Sequence, residues 1–248
     1  MSEPKPGRGI CLVVGAGDGL GAAIARAFAR EGLGVCVTRR PRHTEAVDRL
    51  AETIRAEGGE AYPFGLDARV EDDVVALIGR IEREIGGIEV LVFNIGANVR
   101  FPVVETTTRV YSKVWEMAAL AGFLASREVA RAMSERGQGT ILFTGATASL
   151  RGGAGYSAFA GAKHALRALA QSLARELGPR GVHVAHIVID GMIDGAFIRG
   201  LVPDAAERLA REEILAPDEI ARNYVWLHRQ KRGVWTFEMD LRPWTETW

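Results

Sequence analysis

Short apolar runs alternate with longer stretches of helical period along most of this chain. Residues 9–14, 34–38, 61–66, 88–93, 140–143 and 182–189 are rich in Val, Ile, Leu and Phe and read as buried strands. Between them the apolar positions fall three and four apart. Ile24 and Phe28 share a face within 21–31, as do Val47, Leu50 and Ile54 within 45–57. Val74, Leu77, Ile78, Ile81 and Ile85 mark the next helix. Residues 107–133 contain a long helix that is apolar on more than one side, through Val114, Trp115, Met117, Leu120, Phe123, Leu124 and Val129. A helix of small residues carrying Lys163 follows the fifth strand, Pro217 opens a last helix, and 234–241 reads as a final strand. Strands separated by helices predict an α/β fold with a doubly wound parallel sheet, in one domain spanning 1–248.

The first strand ends in Gly15, Ala16, Gly17, Asp18, Gly19, Leu20 and Gly21, and a helix begins at once. Glycines there let the backbone turn tightly and approach a pyrophosphate at a helix N-terminus, which predicts a Rossmann-like dinucleotide site. Tight strand-to-helix turns also use glycine without any ligand. The second strand ends in Thr38-Arg39-Arg40, with Arg42 close behind, instead of the acidic residue that bonds the adenosine ribose of NAD. Guanidinium groups suit a 2′-phosphate, so Arg39 and Arg40 favour NADP over NAD unless they are solvated loop charges.

Composition narrows the class. The 248 residues are enough for one full core, and 31 basic residues balance 31 acidic ones, so neither a nucleic acid nor another polyanion is an expected partner. No apolar run approaches the ~18 residues of a membrane span. The N-terminus lacks the apolar core of a signal peptide, and Cys11 and Cys36 lie inside predicted strands, together predicting a cytoplasmic protein. His183 and His186 lie in one strand and point to opposite faces, which is not a metal-binding arrangement.

The stretch Thr144 to Lys163, TGATASLRGGAGYSAFAGAK, together with the glycine turn, resembles the short-chain dehydrogenase/reductase family over nearly the whole chain. Gly15, Gly19 and Gly21 match that family's glycine fingerprint, with Val14 in place of threonine. The resemblance implies that Asn94 bonds neighbouring strand backbones, that Gly96 leaves space for cofactor and that Ile193 leans on the nicotinamide. It implies that Asp67 touches the adenine, although a helix-capping role is open to it as well. Lys163 would bond the nicotinamide ribose. Asp18 stands where NADP-preferring members carry a basic residue, which weighs against NADP. The resemblance also implies a homodimer or homotetramer, built on the long helix and the lysine helix.

The catalytic set departs from the family. The tyrosine four residues before the lysine is Phe159, the serine thirteen before that is Ala146, and the relay asparagine falls on Ala118. Tyr156 precedes Lys163 with six residues between, the spacing of the tyrosine and lysine in the enoyl-acyl-carrier-protein reductases, so Tyr156 is a candidate acid. Many ordinary members carry a non-catalytic tyrosine at that position too. Thr144 and Thr147 flank the empty serine position. Residues 191–216 predict a substrate lid, and 217–248 the final helix, strand and an aromatic tail that docks on a neighbour or caps the pocket. Two readings remain: an NAD(P)-linked oxidoreductase of a small carbonyl or enoyl substrate with non-standard proton chemistry, or an inactive NADP-binding sensor or scaffold.

Overall fold

A computed structural model describes residues 9–247; the polar lead at 1–8 and Trp248 lie outside it. Seven strands form one parallel sheet in the order β3-β2-β1-β4-β5-β6-β7: Ile10–Val14 (β1), Gly34–Arg39 (β2), Glu60–Gly65 (β3), Ile88–Phe93 (β4), Gly139–Thr144 (β5), Val182–Ile189 (β6) and Glu238–Leu241 (β7). Strand order reverses between β1 and β4, and the carboxyl ends there open a crevice, the usual ligand position in such sheets.

Both sheet faces are covered, which is why the central strands are continuous apolar runs. On one face lie Leu20–Arg30 (α1), Thr44–Ala56 (α2) and Pro217–His228 (α9), with Ile24, Phe28, Val47, Ile54 and Tyr224 buried against Val13, Val35 and Val92. On the other lie Glu71–Glu84 (α3), Ala121–Arg136 (α5) and Ser157–Leu177 (α6), packing Val74, Ile78, Leu124, Val129 and Leu166 against Leu12, Leu91 and Phe143. Two short helices, Ala196–Leu201 (α7) and Ala205–Ala210 (α8), make the predicted lid segment.

Two predicted elements are corrected. The long helix runs without a break over 108–136 but is not α-helical throughout: Thr108–Trp115 (α4) leads into a π-helical turn, Glu116–Leu120, and then into α5. The final strand is Glu238–Leu241, because Arg232–Val234 is a 3-10 turn and Trp235 leaves the strand path to stack on His183 at 5.0 Å. Cys11 and Cys36 are buried and unpaired, and burial pushes the Cys36 thiol up to about 12. Among the described residues no helix is long and apolar enough to cross a membrane, and no cluster of metal-ligating side chains occurs.

Candidate active site

The glycine turn is shaped by close backbone approach. Gly15 has φ +96°, where L side chains are strained, and a Cβ on Gly21 would lie 2.4 Å from the Gly15 carbonyl oxygen. Asn94 Nδ2 donates to that same carbonyl at 3.0 Å, and its backbone N donates to Val14 O at 2.8 Å, so Asn94 ties the ends of β1 and β4 together. No side chain caps the first turn of α1, which leaves backbone N–H groups for an anion. These features fit the pyrophosphate of a dinucleotide.

A cavity of 810 Å³ opens above this turn. Of the sequence-predicted site residues, Asp18, Gly19, Leu20, Arg39, Asn94, Gly96, Tyr156, Lys163 and Ile193 line it. Gly15, Gly17 and Gly21 form the turn beneath, whereas Arg40 and Asp67 are not on its wall. Asp67 does not cap α3, whose cap position is Val70; its carboxylate accepts from Arg69 Nε at 2.8 Å and Nη2 at 2.5 Å. That bond holds the Asp67 carboxyl below the usual range. Arg39 reaches Asp18 at 3.5 Å. Partial burial, followed by the guanidinium groups of Arg42, Arg69 and Arg39, lowers the Arg40 pKa, marking a locally cationic corner.

Lys163 is buried on the first turns of α6. Its ammonium donates to Thr144 O at 2.9 Å and Ile95 O at 3.1 Å, which partly offsets desolvation. Burial lowers its pKa to about 8, so it is predominantly charged at pH 7. Tyr156 is the cap residue of α6 and precedes its first turn; its ring lies 6.5 Å from that of Phe159, with the Arg100 guanidinium 5.8 Å from its centre. Tyr156 lines the cavity, and among the described residues its hydroxyl has no hydrogen-bond partner.

The model of the short chain dehydrogenase family matches residues 9–205. The chain is 33% identical over 240 residues to the short-chain reductase protein NovJ of Streptomyces niveus, covering 92% of this chain and 90% of that protein. A solved short-chain dehydrogenase from Rhodopseudomonas palustris is 46% identical, with a TM-score of 0.82 over 96% of this chain and all of that one. The protein belongs to the short-chain dehydrogenase/reductase family. An actinorhodin polyketide ketoreductase solved with NADPH shares the fold at TM-score 0.87 and 23% identity, over 97% of this chain and 98% of that one.

Within this family member Ala118, Ala146 and Phe159 come together. Ala118 and Phe159 are buried in one apolar cluster with Val114, Ala148 and Ala158, and Ala146 and Tyr156 pack on its border. These side chains pack carbon against carbon. The flanking threonines are engaged elsewhere. Thr144 Oγ1 bonds the Tyr224 hydroxyl at 2.7 Å, and Thr147 Oγ1 donates to Asp190. Sequence reasoning missed Tyr224 and Arg69, because each partner was visible but nothing in the pattern paired them. It also missed Asn98 and Arg151 on the cavity wall, which lie in loops without periodicity.

Proposed function

We propose that this short-chain dehydrogenase/reductase is an NADP-linked oxidoreductase of a small carbonyl or enoyl substrate, with Tyr156 as proton donor. The observation that carries the reading is the shared cavity: Lys163 and Tyr156 both line it, and Tyr156 brings an unengaged hydroxyl where Phe159 brings none. The nicotinamide, when bound, supplies or accepts the hydride. Lys163 presents positive charge towards the oxygen on which negative charge develops, Tyr156 delivers its proton there, and Ile193 and Phe159 exclude water.

NADP is favoured because Arg40 and Arg42 form no salt bridge among the described residues, the Asp67 carboxylate near Arg40 being bonded by Arg69, while Asp18 pairs with Arg39. The NADPH held by the ketoreductase of the same fold supports this choice. A second copy of the chain is the expected protein partner, since Tyr111, Trp115 and Phe123 are exposed on α4 and α5. Two buried, unpaired cysteines suit a reducing cytoplasm.

The test is a screen of ketones and enoyl thioesters, following NADPH oxidation by the wild-type chain and by Tyr156→Phe. Turnover that falls about 10²-fold or more in the variant supports the assignment; undiminished turnover overturns it. The apolar packing of Ala118, Ala146 and Phe159 favours a second reading, a sensor or scaffold that binds NADP without turnover. Saturable NADPH binding with no oxidation across the screen would establish that one.

A further inference from the structure

The aromatic tail lies on its own chain, and Asp190 is its anchor. Asp190, the residue after β6, is 1% exposed. Its backbone N donates to Leu241 O at 2.8 Å, closing the end of β6 onto β7. Its carboxylate accepts from Thr147, stands 3.4 Å from the Arg242 guanidinium and 3.7 Å from that of Arg151. Thr147 and Arg151 are both cavity-wall residues.

From Arg242 the tail crosses the turn that carries Ile193. Pro243 is buried against Gly191, where a Cβ would lie 2.7 Å from Pro243 Cδ; only glycine admits the tail so closely. Trp244 Nε1 then donates to Arg211 O at 3.2 Å, at the end of α8, and Glu246 stands 3.7 Å from Arg151. One short segment therefore touches the loop after β5, the turn after β6 and the far end of the lid.

The two halves of the lid differ accordingly. The far half is fixed: Ala205 and Ile214 are buried, and Leu215 exchanges backbone hydrogen bonds with Met192 and Asp194. The near half, α7, buries no residue, and Phe197 and Leu201 are 76% and 65% exposed. Among the described residues its one side-chain tie is the Asp194–Arg199 pair at its base.

We infer that residues 242–246 are a strap, anchored on Asp190, that pins the far half of the lid and the Arg151 wall. Only α7 is then left to close over a ligand. Asp190 is a positioning residue in this scheme, and the inference holds whichever substrate the cavity takes.

The test is amide hydrogen exchange, read by mass spectrometry on the full chain without added ligand. In the wild type, peptides covering 205–216 exchange more slowly than those covering 195–203. In Trp244→Ala, exchange across 205–216 accelerates about tenfold, while 195–203 and strand 182–189 keep their wild-type rates. Arg242→Gln gives the same local pattern. Should Arg242→Gln accelerate every peptide, the chain has lost global stability, and Trp244→Ala decides, because its indole lies on the surface. Unchanged exchange across 205–216 in Trp244→Ala overturns the strap. So does wild-type protection of 195–203 equal to that of 205–216.

Discussion

Lys163 holds its ammonium 5.9 Å from the centre of the Phe159 ring, a charge facing an aromatic surface that has no proton to give. Such contacts are worth ~0.5–2 kcal/mol and help hold a buried cation that two backbone carbonyls also serve. The lysine is held in place and charged with a phenyl ring, rather than a phenol, beside it.

Restoring that phenol tests what the site lacks. Phe159 lines the cavity beside Lys163, so a hydroxyl on its ring would be added at the site itself. Phe159→Tyr with Ala146→Ser is expected to raise kcat/KM for carbonyl reduction with NADPH by about 10²–10⁴-fold. No gain in a double variant that still binds NADPH would show that more than the proton donor has gone.

The layers of the fold were legible because burial on both sheet faces writes itself as unbroken apolar runs, and helices as threefold and fourfold spacing. The glycine turn was legible because only glycine tolerates the approach of Gly21 to Gly15. The π-helical turn at Glu116–Leu120 was not, since one extra residue in a helix that is apolar on several sides leaves no gap in the pattern. The last strand was overextended because Trp235 counts as a strand residue by composition, yet it turns aside to cover His183. Thr144 looked like a spare hydroxyl until Tyr224, eighty positions away in the chain, proved to hold it. Pairings between distant residues carry no local signature.

Lys163 also sets a pH dependence of stability. Its folded pKa, about 8, lies below the ordinary lysine value of 10.5, so the unfolded chain binds more protons between those limits. Stability from this group therefore rises as pH rises from about 8 towards 10.5, by about 1.4 kcal/mol per unit of depression. In Lys163→Met the rise disappears. Urea unfolding of both proteins across that range measures the difference.

His186 acts in the opposite region. It is buried beside Glu238, and burial lowers its pKa to about 4 in spite of that carboxylate. The unfolded chain binds more protons between pH 4 and the ordinary 6.5, so stability falls as pH falls through this window. His186→Gln is expected to shift the midpoint of acid unfolding to lower pH, seen by circular dichroism.

Gly21 gives a test of the cradle itself. A methyl group there meets the Gly15 oxygen, Ala16 Cα and the Asn94 amide, of which the first two are backbone and cannot rotate away. Gly21→Ala should destabilise the chain by ~1–3 kcal/mol and abolish dinucleotide binding. Binding at wild-type affinity would contradict the assignment of this turn.

The most direct measurement is a titration with NADPH and NADH, followed by fluorescence of the reduced nicotinamide, on wild type and on Arg39→Ala/Arg40→Ala. A charged hydrogen bond is worth ~1.5–3 kcal/mol, so the wild type should bind NADPH about tenfold to a hundredfold more tightly than NADH, and the variant should lose that margin. Equal affinity for the two cofactors, unchanged by the double substitution, would contradict the NADP assignment. Binding of neither would mean that the glycine turn survives as architecture alone.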